Sequence, residues 1–222
     1  MEIKFSDKIR VAAPGLRVLA VEAEVHNPPT SDALWHEIEK EEGKIRKTYS
    51  IDKIKDRSAI SATRKAYKAL GKDPNRYRPA AEALSRRVVN GKELYRLTTL
   101  VDLINLLSLH TGHSIGGFDA DKIEGRTLFL DVGTKDDIYH GIGRGLLNIE
   151  GLPVYRDAAG GIGTPTSDEE RTKLTESTTH LLMLINVYDE TTDLPALEQY
   201  TLSLLTNYCN PIQLHSAIHT LI

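Results

Sequence analysis

The chain has 222 residues, of which 40% are hydrophobic and 27% charged, a balance that excludes disorder as the main state and can fill the core of one large domain. No apolar run reaches the roughly 18 residues that cross a bilayer, which predicts a soluble, cytoplasmic protein without membrane contact. The single cysteine, Cys209, excludes an internal disulfide, and eight scattered histidines without zinc-ligand spacing predict neither a metal site nor a cofactor.

The N-terminal part of the chain predicts one buried strand followed by one amphipathic helix. After a short element at residues 3–5, residues 16–25 are mostly apolar and partly β-branched, which is typical of a central strand. Thr30 or Ser31 can cap a helix whose apolar residues recur at helical spacing as far as residue 48.

Three further helices are predicted between residues 58 and 110. The first spans about residues 58–70 and stops at Gly71, which suits the left-handed end of a helix. The second spans residues 79–89, with Pro79 at its first position. The third spans about residues 98–110 and carries a broad apolar stripe that indicates burial against the core.

Beyond Gly112 the pattern changes from helices to short strands and glycine turns. Strand candidates lie at residues 115–118, 127–132, 146–149, 154–156, 173–175 and 180–187. They are too closely spaced for strand-helix-strand units, and the tail returns to helical spacing, where we expect a helix packed on the sheet from outside. The sequence thus predicts an α+β fold in which helices cover a mainly antiparallel sheet. We expect a single domain over residues 1–222, with a basic helical half at roughly 30–112, a strand-rich half at roughly 113–190 and a C-terminal helix at 193–209.

The formal net charge of -3 hides a strong asymmetry along the chain. Residues 44–96 contain 16 Lys and Arg against 5 Asp and Glu, whereas the remainder contains 12 basic and 26 acidic residues. A basic region on an acidic body attracts polyanions to one face, which favours oriented contact with nucleic acid. Solvated helices whose lysines meet the acidic half would explain the same pattern equally well.

Arginines and tyrosines alternate in this basic segment, a combination that suits RNA because guanidinium groups bind phosphates and tyrosine rings stack on bases. The RNA-binding candidates are Arg76, Arg78, Arg86 and Arg87, together with Arg64, Lys65 and Lys68, which are predicted to share an outward helical face. An internal role stays open for Arg78, which could cap the neighbouring helix or pair with Glu82.

Glycines are the clearest pointer to a pocket, because a backbone without Cβ lets N–H groups approach a ligand oxygen. The cluster at residues 141–145 matches neither a P-loop nor a dinucleotide fingerprint and predicts a turn. Gly116 and Gly117 begin a strand directly after the helix that carries Asn105, at a place where a pocket could open. Nucleophilic catalysis has little support, since Cys209 lies near a helix end that raises a thiol pKa.

Residues 75–88 (NRYRPAAEALSRRV), 100–109 (LVDLINLLSL) and 117–125 (GFDADKIEG) form an ordered set of motifs, followed by 171–182 (RTKLTESTTHLL). Together they resemble the B3/B4 domain of the phenylalanyl-tRNA synthetase beta subunit, and its free-standing relatives in particular. Several motifs in the right order over about residues 55–187 make this resemblance fairly specific.

The resemblance implies an α+β fold and an editing pocket, which in the synthetase hydrolyses tyrosine wrongly esterified to the phenylalanine tRNA. A free-standing copy is then expected to bind tRNA or aminoacyl-tRNA and to hydrolyse a mischarged ester in trans, without ligase activity. Asn105 matches the family's pocket asparagine and would line the catalytic pocket together with Gly116 and Gly117. The opposite lip of the pocket would bind the substrate through Ser167, Arg171 and Thr172.

Several pocket positions depart from the family pattern. Ile104 replaces a threonine, Gly116 and Gly117 replace histidine and alanine, and residues 163–168 replace a glycine-methionine-glycine-glycine run. The glutamate that recognises the tyrosine hydroxyl falls near Leu184, which cannot accept that hydrogen bond. The alternatives are a different amino acid substrate, a non-catalytic RNA-binding module, or a small-molecule (amino-acid) binder that kept the fold. The sequence does not specify the oligomeric state.

Overall fold

Three layers make up the structure: a layer of helices, a central four-stranded sheet and a second four-stranded sheet. The structure is a computed structural model that describes residues 1–221. The helices are α1 (Asp7–Ala12), α2 (Asp32–Thr48), α3 (Ser58–Ala69), α4 (Ala80–Val89), α5 (Thr99–Thr111) and α6 (Leu194–Cys209). The strands are β1 (Glu2–Phe5), β2 (Arg17–Glu24), β3 (Ile115–Asp119), β4 (Thr127–Val132), β5 (His140–Gly141), β6 (Gly145–Leu146), β7 (Pro153–Arg156), β8 (Gly161–Gly163), β9 (His180–Val187) and β10 (Ile212–Thr220).

The central sheet has the strand order β10-β2-β9-β3 and is antiparallel throughout. The second sheet has the order β1-β4-β7-β8, in which β1 and β4 are parallel and the other pairs antiparallel. β5 and β6 form a separate two-stranded ribbon. This arrangement confirms the predicted α+β class with mainly antiparallel sheets.

The central sheet is buried on both faces, which explains why the central parts of its two middle strands are apolar. Successive side chains of a strand point to opposite faces. Leu19 on β2 and Met183 on β9 therefore join the helices in one core. Val18 on β2 and Leu184 on β9 pack instead against the second sheet in another core.

Local signals set the ends of the helices that cover this sheet. The Ser31 hydroxyl accepts a hydrogen bond from the Leu34 N–H at 3.3 Å and caps the start of α2. Gly112 ends α5 with φ of 82°, a left-handed conformation that glycine adopts without strain. Within residues 1–221, no helix combines the length and apolarity needed to pass through a bilayer.

The predicted element positions agree closely with the structure in the helical layer and at five strands, of which β2, β3 and β7 lie within one residue of their predicted limits. β4 and β9 span the predicted residues, and α2 to α5 begin and end within about one residue of their predicted limits. The strand predicted at residues 173–175 is wrong, because Lys173 forms only an isolated bridge with Phe118. The strand predicted at 146–149 is also wrong, because only Gly145–Leu146 is extended and paired there.

Candidate functional site

Gly116 and Gly117 lie side by side on β3, at the edge of the central sheet, and both are buried. A Cβ on Gly116 would lie 2.6 Å from Cζ of Phe118, and one on Gly117 would lie 2.3 Å from Cδ1 of Ile104. Real Cβ atoms do not approach neighbours so closely, so a Cβ at either position would force the Phe118 ring or the Ile104 side chain to move. The two faces of β3 are thus packed directly by the Phe118 ring and by helix α5.

The side chain of Asp168 lies against these glycines, at the outer edge of β3. Its Oδ2 accepts a hydrogen bond from the Gly117 N–H at 3.2 Å. Its Oδ1 lies 3.5 Å from the Cβ position of Gly116 and 2.9 Å from that of Gly163, which is on β8. Gly116 and Gly163 therefore leave room for the carboxyl group, and Gly117 contributes its N–H. We call Gly116, Gly117, Gly163 and Asp168 the Asp168 cradle.

The cradle perturbs the ionisation of Asp168. Burial raises the pKa of its carboxyl from 3.8 to about 7, and the single hydrogen bond from Gly117 only partly opposes this rise. Oδ1 accepts no hydrogen bond from residues 1–221. Since a general acid or base works best when its pKa lies near the ambient pH, Asp168 has the ionisation expected of a proton-transfer group.

A tight loop fixes the position of Asp168. The Thr164 hydroxyl oxygen accepts hydrogen bonds from the N–H groups of Thr166 and Ser167, at 3.2 and 3.1 Å. The Tyr139 hydroxyl donates to the Ser167 carbonyl at 2.7 Å. Gly163 and Asp168 also form an isolated bridge, which closes the loop at its base.

The β5–β6 ribbon lies next to this loop and exposes apolar side chains. The Ile142 N–H donates to the Asp168 carbonyl at 3.0 Å, which attaches the ribbon to the cradle. Ile138 is 80% exposed and Leu146 74% exposed on the ribbon and its flank. Exposed apolar side chains of this kind are typical of a contact surface for a ligand or partner.

The two helices that flank the basic loop at residues 72–79 contact the same loop. The Ala80 N–H donates to the Pro165 carbonyl at 2.8 Å, and the Tyr67 hydroxyl lies 2.9 Å from the Thr166 hydroxyl. Arg76 and Arg78 are both exposed in this basic loop. Two predicted RNA-binding residues thus lie in a segment whose end is attached to the loop that carries Asp168.

Three of the predicted RNA-binding arginines have partners inside the protein. The fully buried carboxylate of Glu82 binds both Arg64 and Arg86, at 2.8 Å in each case. The prediction that Arg64 shares an outward face with Lys65 and Lys68 is therefore wrong, because a buried carboxylate on α4 draws it inward. Arg87 donates to the Glu93 carbonyl at 2.8 Å and stacks on an exposed tyrosine ring.

Four candidate cations remain available on the surface. Lys65 and Lys68 are exposed on α3, and Arg76 and Arg78 are exposed in the basic loop that follows it. None of the four forms an ion pair within residues 1–221. Glu82, the acid suggested for Arg78, is already bound to Arg64 and Arg86.

The remaining predicted site residues do not all meet at one place. Ser167 directly precedes Asp168, whereas Arg171 points away and donates two 2.9 Å hydrogen bonds to Asp157. The Thr172 hydroxyl is buried without a partner among residues 1–221. Asn105 follows Ile104 on α5 and is partly exposed, without a hydrogen bond to the described residues.

Leu184 lies opposite Gly116 in the register between β9 and β3 and is fully buried between the two sheets. Its neighbours in this core are apolar, so the structure offers no polar group at this position. Within residues 1–221, no group of three or more His, Cys, Asp or Glu side chains is arranged to hold a metal ion. A surface cavity of about 650 Å³ lies elsewhere, between α3, the end of α1 and residues 188–191.

Sequence reasoning did not single out Asp168. The carboxyl is far along the chain from Gly116 and Gly117, and only the pairing of β3 with the loop after β8 brings them together. The available signal was the replacement of a glycine-rich run by residues 163–168, which ends in an acid. The replaced run indicates that the pocket differs from that of the family, but it does not indicate which side chain points into the pocket.

Comparison with known proteins identifies the family. The profile of the B3/4 domain matches residues 62–202, which is more than half of the chain, and the protein therefore belongs to the B3/4 domain family. No curated protein matches it significantly. Among solved structures, it is similar to an N-terminal fragment of the phenylalanyl-tRNA synthetase beta-subunit from Pyrococcus horikoshii, with 13% identity and a TM-score of 0.46. That match covers 98% of this chain and 50% of the fragment, so the chain spans half the length of that relative.

Proposed function

We propose that this member of the B3/4 domain family binds tRNA and hydrolyses an aminoacyl ester at its 3′ end, acting in trans on a mischarged tRNA. The observation that carries the proposal is the Asp168 cradle, in which a carboxyl group with a pKa of about 7 lies against Gly116 and Gly163, accepts a hydrogen bond from Gly117 and lies near the end of a basic loop. Arg76 and Arg78 in that loop supply exposed guanidinium groups for phosphate oxygens.

The reaction needs little machinery because an aminoacyl ester is already activated. In the proposed step, the ionised Asp168 carboxylate accepts a proton from water, and the water oxygen bonds to the ester carbonyl carbon. The bond to the ribose oxygen then breaks, and the proton passes from Asp168 to that oxygen, which releases the free amino acid and the tRNA. Asp168 is regenerated, so the step requires no cofactor.

The decisive experiment is a deacylation panel with the full chain and a set of mischarged aminoacyl-tRNAs. We expect at least one ester to be hydrolysed, with a rate that rises through about pH 7 as Asp168 ionises. Asp168→Asn should lower that rate by about 10²–10⁴-fold, because the amide cannot accept the proton. Asp136→Asn, at an exposed carboxyl on another loop, is the matched control and should retain the wild-type rate.

Binding is measured separately from hydrolysis. The logarithm of the tRNA affinity should fall linearly with the logarithm of the salt concentration, since bound phosphates release counterions. Replacing Arg76 and Arg78 by alanine should make this slope shallower by about 2, or about 1 for each lost phosphate contact. Replacing the exposed Lys8 and Lys135, which lie outside the basic segment, should leave the slope unchanged.

A tRNA-binding module without turnover is the second candidate. It is favoured by the packing of β3, because Phe118 and Ile104 already occupy the space next to Gly116 and Gly117. Salt-dependent tRNA binding together with a flat time course across the whole deacylation panel would select this function. Salt-independent binding, or none, would refute both.

A further inference from the structure

Three of the four edge strands of the two sheets are protected against pairing with another chain. On β3, Gly117 donates to Asp168 and Phe118 bridges to Lys173, so that edge is covered. β1 has only four residues and carries Glu2 and Lys4, while β8 has only three residues. Short edge strands and charged side chains are the usual means by which proteins prevent edge-to-edge association.

β10 lacks this protection. It is nine residues long, and its sequence, IQLHSAIHT, contains no Asp, Glu, Lys or Arg. One edge pairs with β2, and no other strand within residues 1–221 pairs with the outer edge. A register shift between Ile212 and His215 interrupts the start of the strand, but residues 215–220 run in regular register. A regular, uncharged outer edge leaves half of its backbone N–H and C=O groups free for a further strand.

We propose that β10 pairs with β10 of a second copy, antiparallel and centred on Ala217, to join the two central sheets into one continuous sheet. A two-fold axis at Ala217 pairs residues 215–219 with themselves, so that His215 lies opposite His219 and Ser216 opposite Ile218 of the copy. The smallest side chain of the segment lies on the axis, where the two strands approach most closely.

The absence of charge makes β10 compatible with its own copy. A strand meets itself in a two-fold interface, so any Lys, Arg, Asp or Glu near the axis would face its own copy at close range. Residues 212–220 contain no such residue. Ile218 is 43% exposed, and pairing with the second copy would bury part of this apolar surface.

A cysteine test measures the register directly. Ala217→Cys places two thiols opposite each other at a Cα separation of about 5 Å, which a disulfide spans. Thr220→Cys is the matched control, because three residues on either side of the axis separate its two thiols by about 20 Å. The native Cys209 is fully buried, and burial raises its pKa to about 12, so it adds little background.

We expect Ala217→Cys to form a disulfide-linked dimer under mild oxidation at least about tenfold faster than Thr220→Cys. Sedimentation of the wild type should show a mass that rises toward twice the monomer value with concentration. Ile218→Lys should remain monomeric, whereas Val11→Lys, at an exposed aliphatic residue on α1, should associate as the wild type does. Circular dichroism verifies that each variant is folded. Equal crosslinking of the two cysteine variants, or unchanged association of folded Ile218→Lys, would overturn the proposal.

Discussion

Replacing Asp168 with asparagine tests the cradle without any substrate. The carboxyl has a pKa of about 7 in the folded protein, against 3.8 without the cradle. Below pH 4 Asp168 is protonated in both the folded and the unfolded protein, so it adds no pH dependence to the free energy of unfolding. Between about pH 4 and pH 7 the unfolded chain releases this proton while the folded protein retains it, so the free energy of unfolding falls as the pH rises. Asparagine has no such proton, and it can still accept a hydrogen bond from the Gly117 N–H.

The size of this effect follows from the difference between the two pKa values. Each tenfold change in acidity corresponds to about 1.4 kcal/mol, so the full effect is about 4 kcal/mol. Because Asp168 keeps some contact with solvent, we expect about 2–4 kcal/mol between pH 4 and pH 8. Asp168→Asn should therefore gain this much in unfolding free energy relative to the wild type across that range.

The assay is urea unfolding of the wild type, Asp168→Asn and the surface control Asp136→Asn at several pH values. All other carboxyl groups titrate alike in the three proteins, so the difference between wild type and variant isolates the one group. If the difference between wild type and Asp168→Asn is flat from pH 4 to pH 8, the Asp168 carboxyl titrates as an ordinary aspartate. The general acid-base role would then lose its physical basis.

Two further predictions test the packing around the site. Gly117→Ala should lower the free energy of unfolding by about 1–3 kcal/mol because its Cβ would meet Ile104, and adding Ile104→Val should recover part of that loss. The control Gly43→Ala, whose Cβ meets no atom within 4 Å, should be neutral or stabilising. If the effects of the substitutions at Gly117 and Ile104 are simply additive, the two residues are not in contact. Glu82→Gln should lower the free energy of unfolding, measured with urea, by about 3–5 kcal/mol, because the guanidinium groups of Arg64 and Arg86 are partly buried and lose their carboxylate. Glu93→Gln, at an exposed carboxylate, is the control. A loss for Glu82→Gln no larger than that of the control would refute this prediction.

The sequence predicts those elements whose signal is local. β9 is a run of apolar residues between polar ones, and α2 begins at a serine that caps it, so both can be located without knowing their neighbours. β10 was not predicted, because its residues are half polar and half apolar, and only its pairing with β2, almost 200 positions earlier, makes it a strand. Six-residue α1 is too short to show a helical repeat.

In the candidate site, too, the sequence predicts what depends on local residues and not what depends on contacts between distant parts of the chain. The glycines at positions 116 and 117 are visible in the sequence, which predicts an open pocket there, whereas in the structure Phe118 and Ile104 fill the space next to them. The charge excess of residues 44–96 is also visible, yet sequence does not show which cations have partners. Arg64 lies eighteen residues from Glu82, and helical spacing within α3 alone placed it on the outward face. Ion pairs between distant residues determine which cations remain on the surface, and the resulting basic surface is smaller than the composition indicates.

That smaller surface has a consequence for the proposed chemistry. Arg76 and Arg78 precede Ala80, whose N–H is bonded to the loop of Asp168, so we expect phosphates bound by them to bring negative charge close to the cradle. Negative charge disfavours ionisation of a nearby carboxyl and raises its pKa. The pH midpoint of the hydrolysis rate at saturating tRNA should therefore lie above the midpoint that the stability difference gives for the free protein. If the midpoint of the hydrolysis rate coincides with the midpoint of the stability difference, the bound phosphates lie far from Asp168. The tRNA-binding surface would then be separate from the cradle.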